Sequence, residues 1–241
     1  MSAVNGKVSA AAGDIGGHGG VLGAGSVSVP LAYSFGAQFD AAGGGANGRG
    51  LWGVAGQGFW RDPAVGLVGG LVVHAARGIA AGSNATAKGT YVNRYGVEAE
   101  DYLGRFTPSL AAGYQDGNLL RKPGGFAVLE LGWYPVDDLE LAGGGDLNSA
   151  HSSVLLGGEW QPGLAALPGL TGFVMAALSG QRDSYALVGV RLYFGPVKPL
   201  IRRHREDDPD SPIPDTLNSA YSVTVTTSGT GGGGGGGCGG C

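Results

Sequence analysis

The chain contains no run of 18 or more apolar residues, so no helix it forms can be long and greasy enough to span a bilayer. That test is blind to β-barrels, whose spans are only about 9 to 11 residues of alternating character. Charge is scarce as well. Asp, Glu, Lys and Arg make up 14% of the chain and the net charge is -4, which rules out a highly charged disordered polymer and offers none of the basic surface that nucleic acid demands. Cysteine is confined to Cys238 and Cys241, so everything before them must fold without disulfides. There is no phosphate-cradling Gly-Lys-Ser/Thr loop and no His-Glu-x-x-His, so no catalytic, cofactor-binding or metal-binding residue is expected and the protein reads as a non-enzyme.

What is abundant is glycine. Its 51 residues are scattered through apolar runs as well as gathered in loops, without a collagen-like triplet period; the one strictly low-complexity tract is Gly231 to Gly237. The apolar runs carry a second pattern, most plainly in Tyr185-Ala-Leu-Val-Gly-Val-Arg-Leu-Tyr-Phe194. Strand side chains alternate faces, which puts Ala186, Val188, Val190, Leu192 and Phe194 on one side and Tyr185, Leu187, Gly189, Arg191 and Tyr193 on the other. One face is unbroken grease and the other bears a charge. About twelve segments repeat the scheme, near 7–15, 21–31, 34–43, 51–61, 66–77, 92–103, 106–115, 125–134, 138–147, 152–161, 170–179 and 184–194. An even count suits a bacterial single-chain barrel. The expected architecture is all-β: a closed antiparallel up-and-down transmembrane β-barrel over residues 1–195.

The links between segments sort into two alternating kinds. Pro30 to Tyr33, Trp60 to Pro63, Tyr102 to Phe106, Trp133 to Asp138 and the connection from Trp160 to Gly163 are tight and aromatic-flanked. Gly16 to Gly20, Gly43 to Gly50, Gly78 to Thr90, Asp116 to Gly125, Asp146 to Ser152 and Gly180 to Asp183 are polar or glycine-rich. Short periplasmic turns and longer external loops are the usual asymmetry, so the first set is assigned to the periplasm, and both termini with it. Tyr33, Phe35, Phe59, Trp60, Tyr102, Phe106, Trp133, Tyr134, Trp160, Tyr193 and Phe194 then form an inner interfacial belt, with Tyr95, Tyr114 and Tyr185 as a sparser outer one.

Parity assigns the charges. Leu129 and Leu131 oppose Glu130, Val97 opposes Glu98 and Glu100, and Val154 and Leu156 oppose Glu159. A charge on the lipid face at mid-membrane costs about 2 to 4 kcal/mol for Arg or Lys and less for Asp or Glu, so these groups are expected in the lumen. Glu98, Glu100, Glu130 and Glu159, with Glu140 as an addition and Arg191 opposing them, are the candidate pore-lining set. They fit either a salt-bridge network that fills and stiffens the barrel or the lining of a narrow cation-preferring pore. The segments around Val68 to Val73 and Phe173 to Met175 do not alternate cleanly. The abundant glycine is expected on the lumen side, where a small barrel would overfill with larger residues.

Beyond Phe194, Pro209, Pro212 and Pro214 argue for an irregular segment, and residues 196–241 are expected to be a flexible, disordered periplasmic tail ending in the glycine tract and Cys238-Gly-Gly-Cys241. The residues Asn5-Gly-Lys-Val8, Phe59-Trp-Arg-Asp-Pro63, Tyr193-Phe-Gly195, Lys198, Leu200-Ile201, Arg203-His-Arg205 and Asp207-Asp-Pro209 are similar to stretches of a group of uncharacterised alphaproteobacterial outer-membrane, porin-like β-barrel proteins. The resemblance covers most of residues 5 to 209 and implies an outer-membrane location and a barrel fold, with no catalytic residues. Met1 to Val8 lack the basic and apolar regions of a secretory signal, and the expectation is that one has been removed. Asn148 to Ser153 holds the residue types of a serine hydrolase, but neighbouring loop residues seldom align a nucleophile, a base and an orienting group. His74 is expected at the lumen or the interface, and Asn84-Ala-Thr86 carries no weight as a glycosylation signal. The chain is thus expected to be a monomeric outer-membrane barrel in contact with lipid, structural or passing small ions or solutes. The alternative is a glycine-rich secreted or surface protein that self-assembles through open strand edges.

Overall fold

The computed structural model describes residues 4–78, 89–118, 120, 123–149, 151–179, 184–207 and 209–221. Alternation wins along the chain and yields twelve strands: β1 (Asn5–Ile15), β2 (Gly19–Pro30), β3 (Phe35–Ala46), β4 (Arg49–Asp62), β5 (Gly66–Arg77), β6 (Thr90–Asp101), β7 (Phe106–Asp116), β8 (Gly124–Val136), β9 (Leu139–Asn148), β10 (Ser152–Trp160), β11 (Leu170–Ser179) and β12 (Tyr185–Phe194). Each pairs antiparallel with its sequence neighbours, and β1 pairs with β12 from Gly6 opposite Phe194 to Ile15 opposite Tyr185, closing the barrel. Closure leaves no open edge among the described strands, and this overturns the alternative of self-assembly through unpaired edges.

The outer surface is apolar. Val8, Val21, Phe39, Val54, Val72, Val97, Leu129, Leu131, Val154, Val174, Val188 and Val190 all point outward and are exposed, the pattern of a transmembrane barrel wall. Both asymmetries expected from the sequence need correction. The link Gly43 to Gly50 is mostly strand, turning through Asn47 and Gly48 with φ of 51° and 66°, the pair of left-handed residues that a two-residue type I′ hairpin needs. The connections at that end are therefore not uniformly long. In the expected inner belt, Phe59, Tyr102, Tyr134 and Tyr193 face inward and are buried, because Phe59 and Trp60, or Trp133 and Tyr134, are consecutive and must lie on opposite faces. Tyr185 likewise lines the lumen, while Trp52 and Tyr91 join Tyr95 and Tyr114 in the outer belt.

Glycine is not restricted to the lumen. Gly56, Gly58 and Gly70 lie with Phe39, Val72 and Tyr95 in a shallow outer groove. Inward glycines have a sharper reason to be there: a Cβ on Gly44 would stand 2.0 Å from the Val21 carbonyl oxygen, and one on Gly144 2.1 Å from that of Leu129. Only glycine lets the wall bend this tightly.

The largest departure from expectation follows β12. The described part of the segment expected to be a flexible tail forms two helices, α1 (Leu200–Glu206) and α2 (Ile213–Tyr221), packed against the inner side of the barrel. Pro214 falls in the first turn of α2, where a missing N–H costs nothing, so the prolines do not prevent a helix. The physical cause is the lumen wall. Leu51, Ala55, Leu71, Val73 and Ala75 point inward from β4 and β5 and form one buried cluster with Ile213 and Leu217 of α2. The imperfect alternation of β5 is thereby explained, since Val68 and Val72 are exposed on the outer face while Leu71 and Val73 meet the helix. A Cβ on Gly53 would come within 2.8 Å of Ile213 Cγ2, so this glycine sets how closely α2 approaches. Cys238, Cys241, Asn84, Thr86 and the glycine tract lie outside the described residues.

Candidate functional site: an acid-lined lumen

The barrel has a terminal end, where Asn5 and Phe194 lie, and a far end bearing Ile15, Arg49 and Tyr185. At the terminal end α1 is held from several sides. Asp138 Oδ1 accepts a hydrogen bond from the backbone N–H of Leu200 at 3.1 Å, and the Asp137 carbonyl accepts from Ile201 at 2.9 Å, so the turn between β8 and β9 satisfies donors that the first helical turn leaves unpaired. Arg203, 1% exposed, donates to Gln161 Oε1 at 3.1 Å and lies over the Tyr193 ring. Arg205 donates to the carbonyls of Gly104 and Phe106 at 2.8 and 2.9 Å. Lys198 pairs with Glu206 and Asp207, and Asn5 donates to Asp207.

His204 is the centre of this latch. Its Nδ1 meets the Tyr134 hydroxyl and its Nε2 the Tyr193 hydroxyl, each at 2.9 Å, with Glu140 Oε2 3.3 Å from Nδ1. Burial alone would lower its imidazole pKa, but the carboxylates of Glu140, Glu159 and Asp210 outweigh burial and hold it up at about 9. A protonated ring donates from both nitrogens, which matches two hydroxyl oxygens as acceptors.

From α1 the chain enters the lumen. The Pro209 carbonyl accepts from Lys7 Nζ at 3.3 Å and Gln38 Nε2 at 3.0 Å, and the Asp210 carbonyl accepts from Gln57 Nε2 at 2.9 Å. Because α2 packs against β3 to β6, it lies off-centre. On its other side remains a cavity of about 220 Å³, lined by Glu98, Glu100, Glu130, Glu140, Glu159, Asp210 and Asp215 together with Lys7, Arg94 and Arg191.

The structure therefore places Glu98, Glu100, Glu130, Glu159 and Arg191 on one lumen surface, and Glu140 with them. Their environments differ. Glu159 is ion-paired with Arg191 and accepts from Thr171 Oγ1 at 2.6 Å, while Arg191 lies 4.8 Å over the Phe173 ring. Glu98 accepts from Gln57 at 3.0 Å and Glu100 from the Tyr102 hydroxyl at 2.9 Å, neither from a cation. Glu130 makes no side-chain hydrogen bond or ion pair among the described residues. The sequence reading missed Arg94 and Asp146, a buried ion pair at 2.8 Å that closes over Phe126. Arg94 shares parity with Glu98, so the signal was present. Asp210 and Asp215 carried none, because nothing in a proline-rich stretch announces that it will fold into a lumen.

His74 turns out to face outward, stacked on Tyr91, with the Trp52 ring tilted 45° against it, and bonded through Nδ1 to Asn93, which in turn donates to Asp116 at 2.7 Å. Asn148 and His151 close a tight turn on each other by two 3.1 Å bonds.

The fold is that of porin-like transmembrane β-barrels. The chain is similar to a KdgM porin structure, with a TM-score of 0.56 and 10% identity over 78% of this chain and 99% of that one. A KdgM porin in complex with disordered oligogalacturonate aligns with a TM-score of 0.55 and 9% identity over 78% and 99%. A membrane protein from work on in-meso crystallization aligns with a TM-score of 0.51 and 12% identity over 92% and 95%. No family model and no curated protein matches the sequence.

Proposed function

We propose that the protein is an outer-membrane β-barrel that admits small cations through the cleft between α2 and the β6 to β12 wall. The observation that carries this reading is the cavity of about 220 Å³ around which Glu98, Glu100 and Glu130 stand without a basic partner in contact. Carboxylates that line a narrow passage and are not neutralised attract cations and repel anions. The apolar outer wall and the likeness to porins support the membrane setting. The ligand in one of the porin structures is an oligogalacturonate, a polyanion, which an acid-lined cleft would repel.

The test is ion conductance in planar bilayers, with reversal potentials in asymmetric KCl. The wild type is expected to conduct with cation preference, and Glu130→Ala to lower that preference without losing the folded, heat-modifiable gel band. A second reading is favoured by the buried pairs of Glu159 with Arg191 and Asp146 with Arg94, which stiffen the wall. A silent wild type would leave that structural role alone.

A further inference from the structure

We infer that the chain threads its own C-terminal segment through the barrel, from the terminal end to the far end, so that it leaves the lumen at Tyr221 on the side of the membrane opposite to Asn5 and Gly195. The inference rests on the barrel being membrane-embedded but not on its conducting. It departs from the expectation that both termini share the periplasmic side.

The path can be followed by contacts. Leu200 and Ile201 bond to the turn at Asp137 and Asp138, and His204 sits between Tyr134 and Tyr193, all at the terminal end. Pro209 and Asp210 are held by Lys7, Gln38 and Gln57, deeper along β1, β3 and β4. Ile213 has climbed to Gly53, and Leu217 belongs to the cluster that includes Ile15, Ala46, Leu51 and Leu187, residues at or next to the far ends of β1, β3, β4 and β12. Helix α2 continues in this direction to Tyr221. At about 1.5 Å per residue, the four residues after Leu217 advance about 6 Å more, which reaches the rim. Among the described residues no contact turns the segment back.

Two independent devices hold this path. An apolar wall of Leu51, Leu71, Val73 and Ala75 would be left bare in the lumen if α2 withdrew, and the α1 latch fixes the point of entry. The barrel thereby anchors the exit of its own chain at the far end.

The only cysteines, Cys238 and Cys241, make this directly testable. Intact cells treated with a mild reductant are exposed to a membrane-impermeant maleimide. Two controls in a Cys238→Ser, Cys241→Ser background report the two sides: His18→Cys in the exposed far-end turn between β1 and β2, and Ala64→Cys in the exposed terminal-end turn between β4 and β5. Folding of each variant is checked by heat-modifiable migration. The wild-type cysteines are expected to label to the extent of His18→Cys and many-fold more than Ala64→Cys. Labelling that matches Ala64→Cys overturns the inference. A conducting or silent channel would leave this result unaffected, so the two proposals fail separately.

Discussion

The two halves of the lumen wall are built on opposite principles. Toward the far end of β4 and β5 the inward residues are Leu51, Ala55, Leu71, Val73 and Ala75, with the polar Gln57 and Arg61 nearer the terminal end, and a helix covers the apolar stretch; from β6 to β12 the inward residues include Glu98, Glu130, Glu140, Glu159 and Arg191, and a cavity remains. An apolar surface facing water inside a channel would forfeit roughly 25 cal/mol for each Å² left uncovered, whereas carboxylates lose by being covered. The contrast teaches that α2 is not an appendage: the chain has written a binding face for it into one side of the ring and kept it off the other.

That contrast can be broken at several points. The largest effect is expected on the polar side, where Asp146→Ala leaves Arg94 buried without its partner ion and should cost about 3 to 5 kcal/mol, read as a lower urea midpoint for loss of the folded band. Glu130→Ala, on the same wall but unpaired, should leave that midpoint nearly unchanged. On the apolar side, Ile213→Ala removes a side chain 1% exposed and should weaken the hold on α2 by about 2 to 5 kcal/mol. Its expected signature is raised conductance and faster proteolysis of the lumen segment, with the barrel band intact. Gly53→Leu attacks the same contact from the wall, and overpacking there should displace α2 at a cost of about 1 to 3 kcal/mol, again read as conductance.

The smallest effect sharpens the comparison through pH. His204 has its pKa raised from 6.5 to about 9, so its contribution to the α1 latch is complete below about pH 6.5 and is lost as pH rises through about 9. The acids that face it are Glu140, Glu159 and Asp210, beside the hydroxyls of Tyr134 and Tyr193, and the basic neighbours on its own helix are Arg203 and Arg205. Channel noise or trypsin sensitivity should therefore rise between pH 8 and 10, and His204→Gln should flatten that dependence.

Much of the barrel was legible in the sequence because lipid is an unforgiving solvent. Every strand was foreseen, with ends within three residues, since Val97, Leu129 and Val188 had to be apolar whatever the lumen held. The lumen side was harder to read, as its residues answer to one another and not to a uniform medium. Glu98 and Glu130 could be placed by parity, yet the role of Leu71 and Val73 could not be seen without Ile213 and Leu217, far along the chain. Those two residues, one helical turn apart just after Pro209 and Pro212 and with Pro214 between them, are short of a full amphipathic period and gave too brief a signal for a helix. The unclean alternation of β5 was in hindsight its imprint.

The seam has an implication for the order of assembly. Because β1 is zipped to β12, the ring cannot seal until the last strand has been made, and six residues later the chain is already at Leu200. The lining segment is thus tied directly to the final stave. Sealing the ring and covering one side of its bore become consecutive closing acts of a single polypeptide.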